Sequence, residues 1–332
     1  MKKIDVTLGA VGVGLLLFVG SRIGWTHVLS QLSLVWVALP FVLVLSLVRL
    51  VLQTASWKVA LRAEGLTTNA FELMRIRLAS QSMGYLSTFG PTLSEPMKVR
   101  LLGVVNWKKS TTATIADTGV YWFAASVAGL MGCAAAAIIL VRTHYSIAVL
   151  MTAALFALFL ALLLRRAPVL GPVARFFGAR TPAWLIKAAE IETQIRSFRE
   201  RHARAARLMM TLDLVCQALL IAEAAVVIAC ASVALHPLAL LGIEAAVRIT
   251  KIFAGWLPGR IGADEGGTSA AFAAFGLSPA AGLMLALVRR CRDLLWCAAG
   301  LAWLAWKWRQ SNSRVAHTTE VIYANGYRSS QR

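Results

Sequence analysis

Long apolar stretches follow one another along nearly the whole chain. About 20 apolar residues are enough to cross the roughly 30 Å of hydrocarbon in a bilayer. On this basis the pattern predicts an all-α polytopic membrane protein. The predicted complete spans lie at about residues 4–20, 33–54, 111–140, 145–164, 208–233, 238–256 and 279–308.

Two further regions, 71–106 and 257–277, carry helix-breaking residues inside otherwise apolar sequence. In the second region, Pro258, Gly259 and Gly262 interrupt the pattern. Unpaired backbone groups are costly in hydrocarbon, so a broken helix persists there only where it lines a polar cavity or is buried in protein. A pair of such breaks at corresponding places in two halves of a chain is typical of a transporter site.

The polar residues around the two breaks follow the same order in each half, although their spacings differ. An arginine precedes the break, a glutamate lies within it, and an aspartate follows on a long apolar stretch. These residues are Arg77, Glu95 and Asp117 in the first half, and Arg248, Glu265 and Asp293 in the second. We interpret this as a weak, topological pseudo-repeat.

Positive charge is concentrated in one loop, residues 165–207, which contains ten Lys or Arg and three acidic residues. The positive-inside rule places such a loop in the cytoplasm, where it would meet anionic lipid headgroups. This placement accounts for the net charge of +19 without a nucleic-acid partner. Lys2 and Lys3 at one terminus, and Lys307 and Arg309 near the other, predict that both termini are cytoplasmic in a bacterial-type inner membrane.

Two cytoplasmic termini require an even number of crossings, so we expect about eight. The first interrupted region is predicted to be re-entrant from the cytoplasmic side. The eighth crossing would come from the second interrupted region or from a break in the 279–308 helix. Residues 1–310 are thus predicted to form one transmembrane domain, with an amphipathic surface helix at 184–207 and a polar, disordered tail at 311–332.

Ionisable residues within spans are rare and usually face a cavity or one another. Glu223 lies near the middle of one span, and Glu244 and Arg248 share a face of the next, where they can pair. Arg289, Arg292 and Asp293 form a polar stripe on the last span. The alternative for any single pair is a structural ion pair that fixes helix register.

Enzymatic signals are few. The chain has no histidine pair at metal spacing, no nucleophile elbow, no P-loop and no dinucleotide-binding glycine turn, so we expect neither a metal nor a cofactor. The five cysteines lie in apolar segments without paired spacing and are interpreted as structural thiols.

The residues of the second break, Leu257 to Gly266, followed by Phe275 to Ser278 and Arg289 to Trp296, resemble a motif of the lysylphosphatidylglycerol synthase transmembrane-region family. Pro91, Ser94–Glu95 and Arg100 are similar to the first-half element of that family, with Ser94 in place of its usual glycine. The resemblance implies a flippase-like bundle with two re-entrant hairpins. Some members of that family carry a soluble aminoacyl-transferase domain, which we do not expect in this chain, so lipid lysylation is not carried over.

The favoured hypothesis is translocation of an amphipathic lipid, with an anionic or zwitterionic headgroup, between leaflets. One rival is an integral-membrane transferase that uses Glu95 or Glu265 as a base on a lipid-linked donor. A second is a non-transporting scaffold for lipid-synthesis enzymes. The resemblance adds hopanoid synthesis as one such pathway and a polycyclic lipid as one candidate substrate, because some stand-alone members of the family sit among hopanoid-synthesis genes. The predicted substrate-binding residues are Arg77, Glu95, Arg100, Asp117, Glu223, Glu244, Arg248, Pro258, Gly259, Gly262, Asp264, Glu265, Arg289, Arg292 and Asp293. For Glu265 we predict an ion pair with Arg248 or Arg289.

The predicted orientation can be tested by labelling. Single cysteines placed near Arg175 and near Asn312, in a background without native cysteines, should resist a membrane-impermeant thiol reagent in intact cells. Both should react after the cells are permeabilised. Labelling of either position from outside would overturn the orientation.

Overall fold

The computed structural model describes residues 25–329, except 88–89, 104–105, 141–144, 165–170, 173–174, 176–180, 232, 234–235 and 256. Within these residues every regular element is a helix, which confirms the all-α prediction. The predicted span at 4–20 and part of the basic loop lie outside the described residues.

The described helices are named here in chain order. They are α1 (Trp25–Ala63), α2 (Ala70–Leu86), α3 (Pro91–Leu102), α4 (Trp107–Leu140), α5 (Ser146–Leu164), α6 (Ala183–Arg201), α7 (Ala203–Cys230), α8 (Pro237–Phe253), α9 (Ala263–Ala274) and α10 (Pro279–Ser329), with a 3-10 turn at Pro258–Arg260 between α8 and α9.

Three of the described helices are long and apolar enough to cross a membrane: α1 over Trp36–Ala63, α4 and α7. Helix α5 contributes a shorter apolar stretch at Ser146–Ala161. Their outward faces carry large exposed apolar side chains, such as Phe41 and Leu150, which suit a lipid environment better than water. The chain is therefore a multi-pass membrane protein, while the count of eight crossings stays a prediction.

The core of the bundle has two main parts. In one, Trp57 of α1 packs with Ile76 of α2, Phe198 of α6 and Met209 of α7. In the other, side chains of α8, α9 and α10 meet α7 around Ile243, Phe272 and Leu285. Both clusters include side chains of α1 and α7, so these two helices join the two parts of the core.

Glycines allow two helix pairs to approach closely. A Cβ atom on Gly132 of α4 would lie 2.4 Å from the carbonyl oxygen of Leu241 on α8. A Cβ on Gly300 of α10 would lie 2.6 Å from the carbonyl oxygen of Leu78 on α2. Small residues at such crossings let helix backbones pack in direct contact, which is a main source of helix association in membranes.

Both interruptions lie where the sequence predicts them. The first separates α2 from α3 at Gly90, whose φ of 43° is in the left-handed region. The second separates α8 from α9, between Phe253 and Ala263. Whether either segment is re-entrant with respect to the membrane stays a prediction.

Helix α10 is continuous from Pro279 to Ser329. A break within 279–308 therefore does not supply the eighth crossing, and of the two sources that the sequence leaves open the second interrupted region stays the predicted one. Disorder of the polar segment 311–332 also stays a prediction.

The predicted surface helix at 184–207 ends earlier than expected, at Arg201. At His202 the backbone leaves the helical region, with φ −127° and ψ 48°, and α7 begins at Ala203. Residues 203–207 therefore belong to α7. Leu185 and Phe198 of α6 are buried, so at least part of its apolar face packs on the protein.

The close α4–α8 contact generates the first structural prediction. Gly132→Ala places a methyl group against the backbone of α8, which must move, and overpacking of this kind costs about 1–3 kcal/mol. The midpoint of thermal unfolding of the detergent-purified variant should fall. Gly171→Ala is the control, because a Cβ there meets no atom within 4 Å. Equal midpoints for both variants would contradict the packing.

Candidate functional site

A cavity of about 450 Å³ lies between α1, α2, α3, α4, α8 and α10. Residues of both helix breaks line it, Gly90 from the first and Gly255, Gly259 and Arg260 from the second. The breaks also contact each other, since a Cβ on Gly90 would lie 3.3 Å from the carbonyl oxygen of Gly255. The two interrupted segments therefore meet at one polar space.

The second break is held by Glu265 and by an arginine of the last helix. Gly259 and Gly262 have φ of 58° and 79°, values that favour glycine. The amide of Gly262 donates to Glu265 Oε2 at 2.8 Å, and Arg290 of α10 donates to Oε1 of the same carboxylate. Arg290 also donates to the carbonyl oxygens of Gly259, at 3.2 Å, and Arg260, at 3.3 Å.

This arrangement corrects the predicted partner of Glu265. The partner is Arg290, not Arg248 or Arg289, and Glu265 is fully buried within the turn rather than on the cavity wall. A carboxylate bound on both oxygens, by a backbone amide and a guanidinium, satisfies backbone groups that the break exposes. Its evident contribution is to the shape of the turn.

At the cavity wall and behind it, two arginines of α10 bind the acidic residues of α7 and α8. Arg289 donates to Glu223 at 3.1 Å and to Glu244 at 2.7 Å. Arg292 donates to Glu223 and, at 2.7 Å, to Asp293. Both arginines are almost fully buried. Because each buried cation has a carboxylate partner, the cost of removing these charges from water is offset.

The predicted Glu244–Arg248 pair does not form. Glu244 binds Arg289, and Arg248 donates instead to Gln217 Oε1 of α7 at 2.7 Å. The two residues are four apart on α8, but spacing alone does not decide which partner a side chain takes when a neighbouring helix offers a better one.

The first half of the site centres on Asp117 of α4 and Glu95 of α3. Arg77 of α2 binds Asp117. Lys98 donates to both oxygens of Glu95, at 2.8 and 2.9 Å, and lies 4.0 Å from Asp117. Thr118 donates to Glu95 at 2.9 Å. Glu95 is 27% exposed, so of the two break glutamates it is the one that reaches the cavity.

The predicted site residues divide between the cavity wall and its surroundings. Arg100 is exposed on α3 away from the cavity, and Asp264 pairs with Arg260 at 3.1 Å. Glu223, Gly262, Glu265 and Arg289 support the wall from outside, and the side chain of Pro258 is outside the described set. Those that line the cavity are Arg77, Glu95, Asp117, Glu244, Arg248, Gly259, Arg292 and Asp293.

Positive charge predominates on the described cavity wall, with seven cationic and four acidic side chains. Most of these cations have a carboxylate partner. Three do not: within the described residues no carboxylate oxygen lies within 4 Å of Arg49, Arg248 or Lys251. The Nη2 atom of Arg248 is buried without a hydrogen-bond acceptor.

Sequence reasoning missed Arg49, Lys98, Lys251 and Arg290 as site residues. A signal existed for Arg49, which lies inside a predicted span, and for Lys98, which is three residues from Glu95 on a helical spacing. Lys251 follows Arg248 at helical spacing. Arg290 also lies inside a predicted span, but its partner depends on how α10 is rotated against the turn, which the sequence does not show.

The Glu265–Arg290 contact can be tested by a double-mutant cycle. Glu265→Gln leaves a buried guanidinium unpaired, and Arg290→Gln leaves a buried carboxylate, so each should lose about 3–5 kcal/mol of stability. The double variant should lose less than the sum. Folded yield and thermal midpoint are the measurements.

Asp264→Asn is the control for this cycle, because Asp264 lies in the same turn but pairs with the more exposed Arg260. Its loss should be smaller. Additive losses at Glu265 and Arg290 would show that the two side chains do not interact.

Comparison with known proteins agrees with the architecture. The family model described as the lysylphosphatidylglycerol synthase TM region matches residues 6–300. No curated protein and no solved structure gives a match. The match covers both helix breaks and every helix that lines the cavity. The chain therefore belongs to the lysylphosphatidylglycerol synthase transmembrane-region family.

Proposed function

We propose that this protein moves an amphipathic lipid with an anionic or zwitterionic headgroup between the leaflets of a bacterial-type inner membrane. The headgroup enters the cavity between the two helix breaks, while the acyl or polycyclic tail stays in the bilayer. The cytoplasmic location of both termini, and attraction of the 165–207 loop to anionic lipids, belong to the same proposal and rest on the distribution of Lys and Arg.

The observation that carries the proposal is the set of cations without carboxylate partners, Arg49, Arg248 and Lys251, on the wall of a cavity inside a membrane protein. An unpaired cation in a low-dielectric setting is costly, and an anion within reach would offset that cost. Guanidinium groups bind phosphate oxygens well because their donors form a planar fork. A phosphate-bearing headgroup therefore suits this part of the wall.

The acidic residues of the wall are already bound, which leaves the free cations to determine its selectivity. Glu95 is held by Lys98, Asp117 by Arg77, Glu244 by Arg289 and Asp293 by Arg292. Among the described lining residues no unpaired carboxylate is present to repel an incoming anion, so the unpaired cations can attract it.

Exposure of Glu95 to the cavity keeps the transferase alternative open. A carboxylate at the wall is in reach of a bound headgroup and is the better placed of the two break glutamates to act as a base. A proteoliposome assay separates the functions: leaflet exchange without new product supports transport, a new lipid product supports a transferase, and neither supports a scaffold.

Charge removal at the unpaired cations tests the site. Arg248→Gln and Lys251→Gln should each reduce exchange of a labelled anionic phospholipid by about tenfold or more, since a charge-assisted hydrogen bond contributes roughly 1.5–3 kcal/mol. Thermal stability should change little for Lys251→Gln, because Lys251 neutralises no protein carboxylate, whereas Arg248→Gln also loses the hydrogen bond to Gln217, so exchange is compared at equal amounts of folded protein.

Lys109→Gln serves as the matched control, because Lys109 is exposed and lies away from the cavity. It removes the same charge from the same type of side chain as Lys251→Gln. Equal exchange in all three variants would exclude these cations from headgroup binding.

A further inference from the structure

Asp213 of α7 is a buried carboxyl group without a cationic partner. It is 1% exposed, and the hydroxyl of Ser56 on α1 donates to its Oδ2 atom at 3.2 Å. Within the described part of the bundle, no Lys, Arg or His nitrogen lies within 4 Å of it. An ionised carboxylate with a single hydroxyl donor is poorly stabilised at such a position.

The charged groups that act electrostatically on Asp213 belong to the first half of the site. They are Asp117 of α4, Arg77 of α2 and Lys98 of α3, and Cys216 is the titratable neighbour on α7 itself. Helix α1, which packs on α7, brings Arg49 to Cys216, whose thiol donates to the Arg49 carbonyl oxygen. Helices α8 and α10 bring their charged groups to α7 further along, at Gln217 and at Glu223. Helix α6 meets this region through the apolar contact of Phe198 with the Met209 cluster.

Among Asp213, the charged groups that act on it, and Glu95, carboxyl groups outnumber cations by one. Arg77 and Lys98 supply two cations, while Glu95, Asp117 and Asp213 supply three carboxyl groups. Glu95 and Asp117 each bind a cation directly and are satisfied as carboxylates. The buried cluster is neutral when Asp213 carries the proton, and burial without a counter-charge makes it the group that most favours the neutral form.

We propose that Asp213 is a proton-binding site whose occupancy is coupled to lipid translocation; this rests on the proposed function. The ligand is the proton itself, taken up from water on one side of the membrane and released to water on the other. The coupling acts through Arg77, whose Nε is buried without an acceptor. When Asp213 ionises, it competes with Asp117 for Arg77.

When Arg77 releases Asp117, the ion pairs on the cavity wall change. Lys98 lies 4.0 Å from Asp117 while it binds Glu95, so an Asp117 freed from Arg77 draws Lys98 away from Glu95. Glu95 is the exposed member of the cluster, and its pairing sets the charge that a headgroup meets at α3. Proton occupancy at Asp213 therefore alters headgroup affinity on the first-half wall.

Infrared spectroscopy of the purified full chain tests the proton site independently of transport. At neutral pH the wild-type spectrum should contain the C=O stretch of a protonated carboxyl group. Asp213→Asn should remove that band, and Glu72→Gln, which changes an exposed carboxyl group outside the cluster, should leave it. A wild-type spectrum without a band that Asp213→Asn removes would overturn the proposal.

Proteoliposomes with an imposed pH gradient test the coupling. Exchange of a labelled anionic phospholipid by the wild type should respond to the gradient, as should Asp213→Glu, which keeps a protonatable group. Asp213→Asn should lose that response, whereas a merely structural role for Asp213 would lower exchange and leave its dependence on the gradient. If wild-type exchange does not depend on the gradient, the coupling is wrong but lipid translocation is not contradicted. If no exchange is detected while the infrared band is present, both the proposed function and the coupling are wrong.

Discussion

One turn of α10 carries three arginines, Arg289, Arg290 and Arg292, whose side chains point in three different directions. They contact α7, α8 and the turn before α9. Each ends on a carboxylate, so three neighbouring cations are buried together without remaining unpaired. The rest of the second half depends on this constraint, because the same contacts fix the break, the wall behind the cavity and the position of α10. A buried charge is tolerated when a partner is in place and is costly when the partner is removed.

The two halves solve this problem with opposite polarity. In the first half, α2 before the break carries the cation, Arg77, and α4, the long helix that follows α3, carries the carboxylate, Asp117. In the second half, α8 before the break carries Glu244, and α10, the long helix that follows α9, carries Arg289. The break glutamates also differ, since Glu95 faces the cavity and Glu265 is buried in its own turn. The two halves therefore repeat the order of helices and breaks, but their charged residues occupy different positions and make different contacts.

Much of the fold follows from the sequence because hydrophobic length and helix breakers act locally. Apolar runs predict the long helices, and Pro258, Gly259 and Gly262 predict the second break. The ion-pair partners of the buried charges are harder to predict from the sequence than the helices. Residues 289 and 290 differ by about 100° around a helix, so the rotation of α10 decides which arginine meets Glu265, and no local pattern encodes that rotation. The end of α6 at Arg201 was missed for a similar reason, since the basic sequence continues unchanged into α7.

The central claim is that a headgroup phosphate supplies the counter-charge missing from Arg49, Arg248 and Lys251. Electron cryomicroscopy of the protein in nanodiscs that contain an anionic phospholipid tests it most directly. The account predicts headgroup density inside the cavity, with phosphate oxygens at hydrogen-bonding distance from at least two of these cations and both helix breaks in place. A map in which the cavity holds no headgroup and protein carboxylates bind the three cations would contradict it.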